Sequence, residues 1–297
     1  MSFQAPTGPP SPVITKGVAY LRSELPKSRN ADAVRAMLEA SARGYDVGAS
    51  LDDTLLFLKQ PSQWDTAPGA GDKALAHVQF ASALAAAELR GKAASTDLME
   101  AAKVLIADQN ADGSWTLDQP GTVASAAAYG TILATWLARS ALISSGKQPD
   151  DFPIVQADRW IRGLAAESVL EASAILLALE LSGDVMAENL RRTALGIVRT
   201  GQAAGGGWGA TADAAPQVFD TALAVLALSA LNVEPRIARS TYRPEELLEA
   251  IAKGKAYIES QQRPDGSWTE TTRPAGPENS AQRISTTGWA LLAVLAR

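Results

Sequence analysis

The 297-residue sequence contains no cysteine and a single histidine, His77. Without cysteine the chain cannot form a disulfide, a thiolate zinc site, an internal thioester or a cysteine nucleophile. A catalytic or metal-binding His77 would need partner residues that the sequence does not identify, so we interpret it as a packing or surface histidine. We expect no metal site and no cofactor.

Positive charge and long apolar runs are also scarce. Lys and Arg number 27 against 32 Asp and Glu, which gives a net charge of −5, and no basic run stands out. This charge pattern is unfavourable for nucleic acid as a partner. Apolar runs such as residues 222–228 and 289–296 are far shorter than the ~20 residues of a transmembrane helix. We expect a soluble protein, either cytoplasmic or a mature secreted chain whose signal peptide is absent.

The first residues are rich in proline and differ from the rest of the chain. Pro6, Pro9, Pro10 and Pro12 fall within a short stretch that has no apolar periodicity. Such a stretch is typical of an extended leader. We therefore predict a leader over residues 1–12 and a single domain over residues 13–297.

Three loops of the sequence share one pattern. In each, a Gln precedes a Trp by six positions and a Gly lies two before the Trp; the loops run over residues 109–115, 202–208 and 262–268. Residues 60–64 form a shorter relative that also begins with Gln and ends with Trp. Self-similarity at intervals of a few tens of residues is typical of a repeat architecture.

Helical periodicity surrounds these loops. Amphipathic stretches, such as residues 99–107, 190–199 and 251–260, alternate with more apolar segments that contain Thr131, Glu171, Asp220 or Thr286. Two further pairs precede them, with apolar segments at residues 31–43 and 74–90. Amphipathic helices can face water, whereas helices that are apolar nearly all round must be buried. We predict an all-α (α/α)6 toroid of six antiparallel helix pairs, with an inner and an outer ring, rather than an open superhelix.

Residues 254–268 resemble the QW repeat of squalene and hopene cyclases, and the segment that begins at Asp220 resembles the start of their inner helices. The resemblance implies the α/α-toroid superfamily, which includes triterpene cyclases, protein prenyltransferase β subunits and the thioester domains of complement and α2-macroglobulin. It also implies that the Gln and Trp of each repeat brace neighbouring helix pairs. A role of these tryptophans as a platform for a sugar or an isoprenoid is the alternative.

The catalytic motifs of the superfamily are missing. Completing a DxDD acid motif would require aspartate where Ser50 and Gln148 stand, and a DDxxD motif would require it at Leu56 and Ile154. The prenyltransferase zinc site and the thioester both need cysteine. The resemblance therefore implies the scaffold without the usual chemistry.

Candidate acids remain at the starts of the predicted inner helices. These are Asp220, Glu171 and Asp32, and a ring of neutral polar and aromatic candidates for ligand binding lies near the same register: Gln79, Thr131, Thr286, Phe219, Tyr129 and Trp289. A carboxyl group among aromatic rings would have a raised pKa and could act as a general acid. Acidic residues and threonines at helix starts also cap free N–H groups, which is the structural alternative.

We expect the toroid to bind an isoprenoid-like or other hydrophobic molecule in a central cavity. Cation-initiating protonation is the reaction that the resembled scaffold implies, and catalysis stays open. The alternatives are a non-catalytic module that binds a protein partner, resembling a thioester domain without its thioester, and a carbohydrate-active α/α-barrel enzyme. An open cavity beside a buried carboxylate favours the first function, whereas a filled centre with an exposed apolar face favours the second.

Overall fold

The computed structural model describes residues 10–66, 72–116, 129–179, 185–233, 242–271 and 279–296. Within these ranges the chain forms twelve α-helices and one short 3₁₀ segment, and contains no strand. Two isolated β-bridges join Gln202 to Trp208 and Gln262 to Trp268. The all-α prediction is confirmed.

The helices alternate between an outer and an inner layer. The outer helices are Pro12–Ser28 (α1), Ser50–Leu58 (α3), Ser95–Asp108 (α5), Phe152–Arg162 (α7), Val185–Thr200 (α9) and Pro244–Ser260 (α11). The inner helices are Ala31–Ala42 (α2), Lys73–Leu89 (α4), Gly130–Ser144 (α6), Val169–Ala178 (α8), Val218–Val233 (α10) and Ser280–Leu295 (α12). Each inner helix contacts the next, and α12 contacts α2, so that the inner ring is closed. This arrangement is the predicted (α/α)6 toroid.

Helix starts agree with local capping chemistry. The side chains of Asn30, Asp72, Ser168 and Asn279 accept backbone N–H groups at the first turns of α2, α4, α8 and α12. Because Asn279 caps α12, this helix begins six residues before Thr286. In the described residues, none of the helices has the length and apolar character that a membrane span requires.

The predicted leader overlaps the first helix by one residue. Pro12 is the first residue of α1, a position where the missing N–H of proline leaves no hydrogen bond unmade. Residues 1–9 of the leader lie outside the described residues.

The tryptophans of the repeated loops join each outer helix to the next inner helix. Their indole Nε1 atoms donate to outer-helix carbonyl oxygens, and their backbone N–H groups donate to threonine hydroxyls of the inner helices. The indole acceptors are Leu105 (2.8 Å) for Trp115, Val198 (2.7 Å) for Trp208 and Ile258 (2.6 Å) for Trp268; the threonines are Thr135, Thr221 and Thr287. All three rings are fully buried, so they are not available as a platform for a ligand.

The glutamines of these loops join neighbouring outer helices. Each Nε2 atom donates to the glycine carbonyl oxygen of its own loop and to a carbonyl oxygen of the next outer helix. The second acceptors are Pro153 for Gln109 (2.9 Å), Ala250 for Gln202 (3.0 Å) and Val13 for Gln262 (2.8 Å). The last of these bonds joins the sixth pair to the first. The structural role that the resemblance implied for these residues is confirmed.

Candidate functional site

A buried carboxylate, Asp32, connects four inner helices. It lies in the first turn of α2 and its side chain is fully buried. Oδ1 accepts a hydrogen bond from the Tyr129 hydroxyl (2.7 Å), and Oδ2 accepts bonds from Ser285 Oγ (2.6 Å) and Gln79 Nε2 (3.1 Å). Asn30, and not Asp32, caps α2. The carboxylate oxygens of Asp32 therefore accept hydrogen bonds from side chains of α4, α12 and the residue before α6.

A close approach between α12 and α2 brings these donors to Asp32. Gly288 of α12 lies against the backbone of Asp32, and a Cβ atom at this glycine would be 2.7 Å from the Asp32 carbonyl carbon and oxygen. Only a residue without a side chain allows two helix backbones to lie so close. Gly288 therefore sets the distance at which Ser285 and Trp289 reach α2.

Burial raises the pKa of the Asp32 carboxyl group. The positive charge of Arg35 and the hydrogen bonds from Ser285 and Tyr129 oppose this rise, because they stabilise the ionised form. Burial and the nearby Asp32 charge in turn raise the pKa of the Tyr129 phenol well above its ordinary value. Tyr129 therefore remains a hydrogen-bond donor throughout the physiological range.

Three aromatic rings pack against one another beside the carboxylate. The centroid of Trp289 lies 5.7 Å from that of Tyr129 and 5.9 Å from that of Phe219, both in edge-on geometry. Tyr129 and Phe219 are 6.1 Å apart. The guanidinium of Arg35 lies over the Trp289 ring, 4.7 Å from its centroid, which is a favourable cation–π distance.

A cavity of about 300 Å³ that is open to solvent lies between the helices of the inner ring, next to this cluster. Residues of α2, α6, α8, α10 and α12 line it: Arg35, Trp136, Leu177, Leu226, Ser229, Ala230, Trp289 and Leu292, together with Ala296. Arg35 and Trp289 belong to both the cavity wall and the surroundings of Asp32. The carboxylate itself does not line the cavity and lies behind these two side chains.

The structure gathers five of the nine sequence-predicted site residues into this cluster: Asp32, Gln79, Tyr129, Phe219 and Trp289. Gln79 and Thr286 lie more than one turn deeper in their helices than Asp32 does. Thr286 is buried, and Thr131 is partly exposed in the first turn of α6.

The other two candidate acids have different surroundings. Glu171 Oε2 accepts the backbone N–H of Glu167, and its own N–H donates to Ser168 Oγ, so it serves the start of α8. Asp220 is buried in the first turn of α10. Burial raises the pKa of the Tyr257 phenol of α11, and the charge of Asp220 raises it further.

Sequence reasoning missed two residues of the cluster, Arg35 and Ser285. Arg35 follows Asp32 by three positions, a spacing that places both side chains on one helix face, and this was a usable signal. Ser285 had no such signal, because its contact with Asp32 depends on how far α12 is displaced along its axis relative to α2.

His77 lies elsewhere, in α4, between the 3₁₀ segment that follows α3 and the last residue of α5. Its Nδ1 is 2.7 Å from Asp108 Oδ2 and its Nε2 is 3.3 Å from Asp65 Oδ1. Burial lowers the pKa of His77. The hydrogen bond and the charge of Asp108, together with Asp65, raise this pKa by a larger amount, so the net change is upward.

Comparison with solved structures finds this fold in type II terpene cyclases. A substituted form of MstE from Scytonema, in complex with its substrate geranylgeranyl dihydroxybenzoate, gives a TM-score of 0.61 at 14% identity over 96% of each chain. Another substituted form, in complex with the product merosterolic acid A, gives 0.60 at 14% identity over 96% of this chain and 95% of that one. A protein from Actinoplanes gives 0.63 at 16% identity over 95% and 97%.

No family model matches the sequence, and no curated protein matches it. At sequence identities of 14% to 16%, this structural similarity shows the fold alone. The chain has the α/α-toroid fold of the terpene cyclase-like proteins.

Proposed function

We propose that this toroid binds an isoprenoid-like hydrophobic molecule in the cavity inside its inner ring. The observation that carries the proposal is the cavity of about 300 Å³, with a wall made largely of Trp136, Leu177, Leu226 and Leu292. Apolar, concave sites of this size are typical of small-molecule binding. The complexes of MstE with a geranylgeranyl-bearing substrate and with its product add support, since that protein shares the fold.

The cavity size limits how much of the ligand can be buried. A volume of 300 Å³ corresponds to about ten groups of water size, at about 30 Å³ each. Each buried methylene contributes about 0.8 kcal/mol, so affinity increases with chain length only until the cavity is full. We expect prenyl alcohols to bind more tightly from the five-carbon to the ten-carbon chain, with smaller gains beyond that.

Calorimetric titration with geraniol and farnesol tests this proposal. Ala230→Trp fills the cavity from α10 and should weaken binding at least tenfold. Leu248→Trp is the matched control, because Leu248 lies on outer helix α11 with 53% of its surface exposed, and should leave the affinity unchanged. The proposal would be refuted if neither alcohol gave a heat of binding. It would also be refuted if Ala230→Trp bound the alcohols as tightly as the wild type does.

A second candidate function is protonation of the bound molecule by Asp32. Two observations favour it: burial raises the pKa of this carboxyl group, and three aromatic rings that could stabilise a cation lie beside it. Incubation of a polyprenyl probe in deuterated water would detect a proton transferred to carbon as incorporated deuterium. Asp32→Asn should abolish the incorporation, and wild-type protein without incorporation would rule this function out for the probe.

The position of Asp32 makes binding the better supported function. The carboxylate accepts three hydrogen bonds and lies behind Arg35 and Trp289 rather than in the cavity wall. The positive charge of Arg35 at the wall would also oppose a cation in the ligand. A cavity beside a buried carboxylate also favours ligand binding over the protein-interaction alternative.

A further inference from the structure

Arg35 lines the cavity and has a hydrogen-bond donor without an acceptor among the described residues. Its side chain is only 14% exposed, and its Nη1 atom is 3.7 Å from Asp32 Oδ1, outside hydrogen-bond distance. Nη1 is buried and has no hydrogen-bond partner in the part of the chain that the structure describes. Its contacts are the ion pair with Asp32 and the face of Trp289.

A buried donor without an acceptor is destabilising. Loss of a hydrogen-bond partner destabilises a buried polar group, and a charged group more strongly than a neutral one. Ser229 adds a second such group to the same wall, since its side chain is 4% exposed and its Oγ atom has no partner. Trp289 Nε1 is a third buried donor without a partner in the described residues, and the need of these lining residues for acceptors indicates an occupant that supplies them.

We propose that the occupant is an amphipathic carboxylic acid, with its carboxylate on Arg35 and its hydrocarbon part against the leucines and Trp136. This inference rests on the proposed function and specifies its ligand class. The planar guanidinium fork matches the two oxygens of a carboxylate, and such bidentate pairs are among the stronger hydrogen bonds. The hydroxyl of Ser229 provides a donor for a second oxygen of the ligand.

The charge of the cavity wall favours a carboxylate over a diphosphate. Among the described residues that line the cavity, Arg35 is the one cation, and Asp32 already offsets part of its charge. A diphosphate carries more negative charge and usually needs a divalent cation. In the described ranges, no group of three or more His, Asp or Glu side chains is placed to hold such an ion.

The experiment compares three ligands that share one ten-carbon prenyl chain: geranic acid, its methyl ester and geraniol. With the wild-type protein, calorimetric titration should show at least tenfold tighter binding of the acid than of the ester. Arg35→Met should remove this preference and leave the affinity for the ester within about twofold. Arg192→Gln, which changes an arginine that is 54% exposed on outer helix α9, is the control and should preserve the preference.

Asp32→Asn should change the affinity for geranic acid in the direction opposite to that of Arg35→Met. Removal of the carboxylate charge next to Arg35 should tighten binding of geranic acid and leave that of geraniol unchanged. Melting curves of each variant show whether it is folded, and the wild-type comparison of acid with ester needs no variant at all.

The outcomes separate this inference from the proposed function. Equal affinity of the wild type for acid and ester would overturn the carboxylate inference and leave hydrophobic binding intact. A preference for the acid that persists in folded Arg35→Met would also overturn it. Absence of binding by all three ligands would refute the proposed function and this inference together.

Discussion

The hydroxyl group of Tyr129 donates a 2.7 Å hydrogen bond to Asp32, 97 residues away in the chain. Tyr129 immediately precedes α6 and Asp32 lies in α2, so the bond passes the helix between them, α4. With Gln79 of α4 and Ser285 of α12 on the other oxygen, one carboxylate holds four of the six inner helices in register. The same contacts hold Arg35 and Trp289 at the cavity.

Tyr129→Phe removes this bond and leaves the ring in place. We expect a loss of about 1.5–3 kcal/mol in the free energy of unfolding, the range for hydrogen bonds to charged groups. Tyr257→Phe is the matched control, because the Tyr257 hydroxyl donates a hydrogen bond of similar length, 2.8 Å, to the neutral carbonyl oxygen of Pro216. This substitution should cost only about 0.5–1.5 kcal/mol. Urea unfolding measures both values. Equal losses would show that the Asp32 carboxylate is not held as a charged acceptor.

Asp32→Asn should change how stability depends on pH. Because burial raises the pKa of Asp32 in the folded protein, the folded state binds more protons than the unfolded state above the unfolded pKa of about 4. The stabilisation from this group is complete below that value and is lost as pH rises through the folded pKa. The free energy of unfolding of the wild type minus that of the variant should therefore fall as pH rises above about 4 and through the folded pKa. A difference that rises with pH would contradict the raised pKa.

His77 should stabilise the fold at low pH. Burial lowers its pKa, but Asp108 and Asp65 raise it above the ordinary value, so the folded protein holds the proton more tightly than the unfolded chain. The stabilisation is complete below the unfolded pKa of about 6.5 and is lost as pH rises through the folded pKa.

The single histidine makes this measurement simple, because only one set of imidazole signals titrates in an NMR spectrum. Asp108→Asn should lower the pKa of His77 more than Asp65→Asn does, since Asp108 is closer and less exposed. A pKa at or below 6.5 in the wild type would contradict the expected ion pairs.

Closure of the ring can be tested at Gly266. This residue has φ of +90°, and a Cβ atom there would lie 2.3 Å from the Lys16 carbonyl oxygen of α1. Gly266→Ala should therefore destabilise by more than about 2 kcal/mol, from both the left-handed backbone and the clash with the first helix. Gly205→Ala is the control, since nothing lies within 4 Å of its Cβ position. Similar unfolding midpoints for the two variants would show that the last loop does not pack on the first helix.

The sequence predicted the fold because its repeats are local signals. Gln109, Gln202 and Gln262 each stand six residues before a tryptophan, and this spacing is sufficient to identify the loops that connect the two rings. The site was predicted only in part, because it depends on the axial positions of helices from distant parts of the chain. The contact of Ser285 with Asp32 requires the six-residue extension of α12 before Thr286, which Asn279 sets by capping.

The most direct test of the central claim is to locate a bound prenyl probe. A farnesol analogue that carries a diazirine, activated by light and mapped by tandem mass spectrometry, should label the inner-ring residues Trp136, Leu226 and Leu292, and excess farnesol should suppress the labelling. Labelling confined to exposed apolar side chains of the outer helices, such as Phe152 and Met186, would contradict binding inside the toroid.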